Sequence, residues 1–313
     1  MKIVVIGHFA RDIFHLSDDP SGGEKIIESD GGITYSVATL ANLCLKDDKV
    51  VPVFGVAEDE YDRIVERFQR YENVETKGLF KVKGGVNQVH YFHSPAGNRT
   101  VCSKQIADTI PFSRIKPFLD VDGVLINMAS GFDITLETLD YIRMQVREQN
   151  TPVHFDYHSL TLGVDKEQSR FRRPLPDWRR WCFMINSVQL SEEEAAGLTA
   201  ERYDEPTLIN QLMPLMVSAL LITRGERGVT LVRQEHKKIF RDEIPGVSAG
   251  QPVDTTGCGD VFGAAFFYEY LRTKDFLKAA ALANRAAAVK SLFFGVERLE
   301  TFREQLSTET PTG

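Results

Sequence analysis

Short apolar runs rich in β-branched residues recur along the chain at 2–6, 50–56, 123–127, 152–156, 182–186 and 219–223, each too brief for an ordinary helix. Between them, apolar residues return at helical spacing over 34–45, 58–71, 134–148, 206–217 and 260–271. Strand and helix alternating in this way predict an α/β fold, a doubly wound, mostly parallel sheet flanked by helices on both faces. Two stretches break the rhythm, 12–29 and 75–104, where KGLFKVKGG, VNQVHYFHS and NRTVCSK alternate apolar and polar residues around turn residues. They predict short antiparallel strands. Both leave the α/β unit and return to it, so a small antiparallel β lid is expected over one end of the large domain. The division is then 1–11, 30–74 and 105–313 for an α/β nucleotide- and substrate-binding domain, with 12–29 and 75–104 for the lid. A plain edge extension is the alternative.

Composition narrows the class without changing this outline. Of 313 residues, 42% are hydrophobic and 26% charged, which excludes disordered and fibrous chains. Lys and Arg number 37 against 44 Asp and Glu, a net charge of -7, so no global attraction to nucleic acid or anionic membrane is available and an anionic ligand needs a local site. The opening MKIVVIGHFARDI has only a short apolar run, which predicts neither signal peptide nor membrane anchor and makes a cytoplasmic location the default. Cys44, Cys102, Cys182 and Cys258 lack CxxC spacing, so no disulfide framework or zinc knuckle is expected.

The most informative stretch is Asp254-Thr255-Thr256-Gly257-Cys258-Gly259-Asp260, followed by the apolar VFGAAFFYEYL. A glycine-rich turn opening a buried helix aims several backbone N–H groups at one spot beside the positive end of the helix dipole, and such a spot binds phosphate. Gly257 and Gly259 leave room for close approach, Cys258 adds an amide with a small side chain, and Asp260 stands where a carboxylate takes a proton from an incoming hydroxyl. Read alone, Asp260 is an N-cap and the glycines a turn. Gly257, Gly259 and Gly263 also imitate a dinucleotide-binding loop, but that loop should follow the first strand.

The stretch resembles the second signature of the ribokinase-like, or PfkB, family of carbohydrate and nucleoside kinases, Asp-Thr-x-Gly-Ala-Gly-Asp, with Cys258 at the alanine. The resemblance extends over nearly the whole chain. Gly31-Gly32 sits where the family has its first glycine pair, and Asp12 where it carries an aspartate that binds acceptor hydroxyls; Asp254 joins this acceptor set. Ser36 replaces a family asparagine, so the acceptor is expected to be larger than ribose or fructose or to place no hydroxyl there; Ser36 as a small packed residue is the alternative. Glu194, in Ser191-Glu192-Glu193-Glu194-Ala195, resembles the glutamate of Asn-x-x-Glu-Ala and would orient magnesium-bound waters. A register on Asn186 and Gln189, or a solvated helix start, are the other readings. Thr223-Arg224-Gly225-Glu226-Arg227-Gly228 is similar to the family's nucleotide-contacting turn, with Arg224 toward the terminal phosphate. Thr255 and Asn284 complete the nucleotide set.

His154 and His158 invite a zinc reading, yet after a strand they share no helix face, whereas Asp156 matches the aspartate of a family Asp-x-Asn segment with His158 at the asparagine. Arg170, Arg172 and Arg173 form the one dense basic cluster, read as a phosphate contact or a solvated loop. Together the resemblance implies an ATP-dependent phosphotransferase acting on an alcohol of a small sugar, cyclitol or nucleoside. Asp260 is its general base and the 257–260 amides stabilise the transferring phosphoryl group. ATP, Mg2+ and a monovalent cation such as K+ near the signature turn are the implied cofactors. Tyr91 and Phe92 would suit a base in the acceptor. Homodimerisation through the lid is the implied assembly, with neither nucleic acid nor membrane as partner. A non-catalytic nucleotide- or sugar-binding regulatory protein on the same fold is the alternative, and a dehydrogenase the other.

Overall fold

A computed structural model describes residues 1–16, 25–93, 99–236 and 238–308. The first strands are β1 (Lys2–Ile6), β2 (Phe9–Leu16), β3 (Lys25–Gly32), β4 (Lys49–Ala57), β5 (Leu79–Val82), β6 (Asn87–His93) and β7 (Arg99–Gln105). The remainder are β8 (Gly123–Asn127), β9 (Val153–Asp156), β10 (Leu162–Val164), β11 (Arg170–Arg172), β12 (Ser187–Ser191), β13 (Ala219–Thr223), β14 (Val229–Glu235) and β15 (Lys238–Ile244). A nine-stranded sheet runs β15-β14-β13-β12-β9-β8-β1-β4-β5. From β13 to β5 its neighbours are parallel, and β14 and β15 add an antiparallel edge. This is the doubly wound, mostly parallel sheet that the alternation of runs predicts.

The small sheet has the order β3-β2-β6-β7. It consists of two antiparallel pairs, β2 with β3 and β6 with β7, joined by a parallel pairing of β2 with β6. Segments 17–24 and 94–98 of the expected lid lie outside the described residues.

Two strand expectations are corrected. The KGLFKVKGG stretch contributes β5, which pairs parallel with β4 at the edge of the large sheet. Alternation marks it as a half-covered strand, but its partner is distant in sequence and invisible to local pattern. The run at 182–186 is not a strand. Cys182 ends the short helix Trp178–Cys182, Met184 has φ 59, and the strand is β12. Hydropathy missed β12 because it buries Ser187 and Gln189, each hydrogen-bonded inside the protein: Ser187 Oγ lies 2.9 Å from His154 Nδ1, and Gln189 Nε2 donates to the Gly259 carbonyl at 2.9 Å.

The helix Cys258–Thr273 is buried along most of its length and lies against the ends of β8 and β9. Its apolar side, with Phe262, Phe266 and Phe267, fills the space between the sheet and the helix Phe276–Lys290. Phe267 has no exposed surface and stacks on His154. Phe267→Ala is expected to lower the unfolding free energy by about 3–5 kcal/mol, read from urea denaturation with an unchanged slope; a loss under about 1 kcal/mol would show that this layer is not under packing constraint.

Candidate active site

The carboxyl ends of the parallel strands converge where the strand order switches, with β1 between β4 and β8. Open α/β sheets place their ligands in that crevice. Asn127 closes β8, Asp156 closes β9, Ser191 closes β12 and Thr223 closes β13, so residues far apart in sequence arrive at one edge.

Gly257 caps the helix Cys258–Thr273 with φ 81, and a Cβ there would lie 2.4 Å from the Tyr35 ring. Both backbone and packing therefore require glycine. Gly259 differs, since a Cβ would meet its nearest atom only at 3.7 Å. The amide of Cys258 donates to the Thr255 carbonyl at 3.2 Å, while the Thr255 side chain is exposed. Asp260, in the first turn, is buried, and Asn127 Nδ2 donates to its Oδ1 at 2.5 Å. Asn127 Nδ2 also lies 3.3 Å from Ser36 Oγ, which donates to the Asp260 carbonyl at 3.4 Å. Ser36 has no exposed surface. It is a packed residue bracing the Asp260 turn.

Asp12, buried in β2, feels the charge of Asp260. Its Oδ2 accepts from the Tyr35 hydroxyl at 3.0 Å and its Oδ1 from the Tyr91 hydroxyl at 3.5 Å. Removal from water raises the Asp12 carboxyl from 3.8 to about 7; the Tyr35 hydrogen bond opposes this and the charges of Asp260 and Asp254 add to it. Gly31 is what lets this carboxylate lie against backbone, since a Cβ would fall 2.1 Å from Asp12 Oδ2. Gly32, at φ 59, turns the chain into the helix Ile33–Leu43.

A second polar group faces Asp260. Asp156, His158 and Asp260 present donor atoms within 4.8 Å of one another. Asp156 Oδ2 is buried without a hydrogen-bond partner, and burial holds its carboxyl well above the usual range. His158 sits at φ 38; burial works against its charged form, but Asp260, Asp156 and Glu194 outweigh it and raise the imidazole. Glu194 completes a capping box, accepting from Ser191 N at 2.7 Å while its own amide donates to Ser191 Oγ at 3.2 Å. Burial raises the Glu194 carboxyl, whereas its neighbour Glu193 on the same helix start is exposed. Asn186 lies at the other end of β12, accepting from Val153 N at 2.8 Å, which leaves the Ser191 and Glu194 register beside the crevice.

The turn after β13 carries Gly225 at φ 58 in open space and Gly228 at φ 94, where a Cβ would strike the Ile244 carbonyl at 2.1 Å. Arg224 is not free for phosphate: its guanidinium pairs with Glu192 and Glu205, and its Nε donates to Thr230 Oγ1 at 3.0 Å. Buried Asn284 donates to the Ile244 and Pro245 carbonyls at 3.3 and 3.1 Å, tying its helix to the end of β15. His154 is a neutral core residue, pushed down to about 3 by burial, and takes no part with His158. Arg170 is no solvated loop residue, since Nε donates to Ser103 Oγ at 2.7 Å and Nη2 to the Ser130 carbonyl at 2.9 Å. Arg172, in contrast, pairs with exposed Glu193. Sequence reasoning missed Asn127, Tyr35 and Lys290; a polar residue closing an otherwise apolar strand was the available signal for Asn127.

A family model described as pfkB family carbohydrate kinase matches residues 168–296. A ribokinase of Bacillus subtilis is 36% identical over 312 residues, covering 95% of this chain and 94% of the relative. Among solved structures, a pyrophosphate-dependent kinase in the ribokinase family, complexed with a pyrophosphate analog and myo-inositol, superposes with a TM-score of 0.76 at 18% identity over 98% of this chain and 99% of its own. A ribokinase of Arabidopsis thaliana complexed with ribose and ATP gives 0.74 at 18% identity over 98% and 97%. The two structural likenesses establish the fold.

Because the Asp12 carboxyl is raised in the folded protein, its contribution to stability is present in full below 3.8 and is lost as pH climbs through about 7. Asp12→Asn is therefore expected to flatten the fall of the thermal unfolding midpoint between about pH 4 and about pH 8. Parallel pH profiles for variant and wild type would show that Asp12 ionises normally.

Proposed function

Because the chain belongs to the pfkB family of carbohydrate kinases, we propose that it transfers the γ-phosphoryl group of ATP to an alcohol of a small sugar, cyclitol or nucleoside, with Asp260 as general base. One observation carries this reading: Asp260, buried in the first turn of a sixteen-residue helix, is held by Asn127 and lies close enough to Asp12, Asp156 and His158 to shift their titration. Acceptor hydroxyls would meet Asp12, Tyr91 and the Gly31-Gly32 backbone. Phosphates would meet the signature turn and the strand ends of β9, β12 and β13.

Asn127 fixes one oxygen of Asp260, leaving the other to take the acceptor's hydroxyl proton as attack begins. The Gly257, Gly259 and Asp260 amides, at the positive end of the helix, stabilise charge on the transferring phosphoryl group. Gly259 has no protein neighbour that forbids a side chain, so its smallness serves the approach of phosphate. The residues present fit a divalent cation carried by the nucleotide, since the unpartnered Asp156 Oδ2 lies with His158 and Asp260 donor atoms at ligand spacing. Asp156 would hold it, Glu194 would orient its waters, and the bound ion would neutralise phosphate charge. Thr223, Gly225, Gly228 and Thr255 serve the nucleotide by position, and Asn284 by fixing the end of β15.

The small sheet acts as a lid over the acceptor, through the reach of Tyr91 to Asp12. Exposed Ile26 and Phe92 on that sheet suit homodimerisation through it. No helix among the described residues is long and apolar enough to cross a membrane. A cytoplasmic location goes with the kinase reading.

Incubation with Mg2+, either ATP or pyrophosphate, and a pooled library of sugars, cyclitols and nucleosides is expected to produce one acceptor heavier by a phosphate, with ATP as donor. A product with pyrophosphate alone would overturn the donor assignment, and no product with either would favour a regulatory binding protein. Asp260→Asn should lower kcat by about 10²–10⁴-fold while nucleotide affinity changes little. Near-normal turnover would remove Asp260 from its role. Since Ser36 braces the Asp260 turn, Ser36→Asn should depress kcat by a similar factor for small and large acceptors alike; a loss confined to larger acceptors would favour the steric reading.

A further inference from the structure

Lys290 is the last residue of the helix Phe276–Lys290 and has no exposed surface. Its Nζ donates to the Phe293 carbonyl at 2.9 Å and stands 4.0 Å from Asp254 Oδ2. It also lies over the Tyr35 and Phe293 rings, 5.6 and 5.0 Å from their centroids. A buried ammonium without compensation is costly, and so is a buried carboxylate oxygen. Asp254 Oδ2 is such an oxygen: Oδ1 accepts from Thr256 N and Oγ1 at 3.1 and 2.8 Å, whereas Oδ2 has no hydrogen-bond partner. Backbone geometry locks the two charges together, because Val253 N and Asp254 N both donate to the carbonyl of Ser291, the residue after Lys290, at 2.7 and 3.1 Å.

The ammonium therefore lies directly behind the signature turn. Tyr35, whose ring it covers, is the same residue that bounds Gly257 and donates to Asp12. Burial lowers the Lys290 ammonium from its ordinary value, and the charges of Cys258, Asp254, Asp12 and Asp260 oppose that shift without cancelling it. This arrangement does not fit the monovalent cation expected near the turn. Asp254 Oδ2, a buried oxygen without a hydrogen-bond partner, and the Phe293 carbonyl already face Nζ, so the place an ion would need is taken by the ammonium. We propose that the Lys290 ammonium is a built-in cation that supports the signature turn in place of a monovalent ion, so that this chain works without K+. Lys290 is thus a positioning residue acting through Asp254 and Tyr35.

The test compares the full chain in KCl, NH4Cl and tetramethylammonium chloride at equal ionic strength, reading thermal unfolding and, on the kinase reading, turnover. The unfolding arm does not depend on that reading, so the two can fail separately. Wild type is expected to give the same midpoint and the same turnover in all three salts. Lys290→Met, which leaves Asp254 buried and unpaired, should lose at least tenfold in turnover and melt lower, with K+ and NH4+ restoring much of both and the bulkier tetramethylammonium restoring neither. Should Lys290→Met not fold, the double variant Lys290→Met with Asp254→Asn is expected to fold and to ignore the choice of cation. Wild type that gains several-fold in turnover or melts higher in K+ than in tetramethylammonium would overturn the proposal. So would a folded Lys290→Met without any cation-specific rescue, or a double variant whose midpoint still follows K+.

Discussion

Asp12, Asp156, Asp254 and Asp260 are all buried around one junction, and the rest of the site follows from the need to keep that much acidity out of water. Each aspartate is handled differently. Asp260 is held by an amide, Asp12 is shifted toward neutrality and bound by two tyrosines, Asp254 faces an ammonium, and Asp156 is left beside an imidazole with one oxygen unmatched. Like charges this close raise one another's proton affinity. A protein tolerates that only where the acids have work to do, and perturbed groups gathered at strand ends are the physical mark of a site.

The same constraint explains the glycines. Gly31 admits the Asp12 carboxylate against the backbone, and Gly257 admits the Tyr35 ring against the turn. Tyr35 then joins three parts of the site, with its hydroxyl on Asp12, its face toward Gly257 and Lys290 over its ring. Packing and electrostatics act here through one side chain. A change at Tyr35 would therefore reach Asp12, the signature turn and the buried ammonium together.

The α/β outline was legible because parallel strands buried on both faces carry unbroken apolar runs; the runs at 123–127 and 219–223 coincide with β8 and β13. The signature turn was legible because Gly257, with its positive φ and the Tyr35 ring against it, has to be glycine. Less was legible where polar residues do core work. β12 was displaced by a few residues because Ser187 and Gln189 are buried and hydrogen-bonded, and the contacts of Ser36 with Asn127 and the Asp260 carbonyl could not be read from its position in the chain.

What the sequence determined by itself is local: where strands and helices alternate, where the glycine-rich signature turn lies, and which acids stand near it in the chain. Only the tertiary structure decided which neighbours each acid receives. Asn127 reaches Asp260 across 133 positions, Tyr35 reaches Asp12 from the following helix, Arg224 is claimed by Glu192 and Glu205, and Lys290 is brought behind Asp254 by a helix end. Composition and spacing report a residue's chemistry, whereas its charge state and its freedom to meet a ligand depend on burial and on partners brought together by packing.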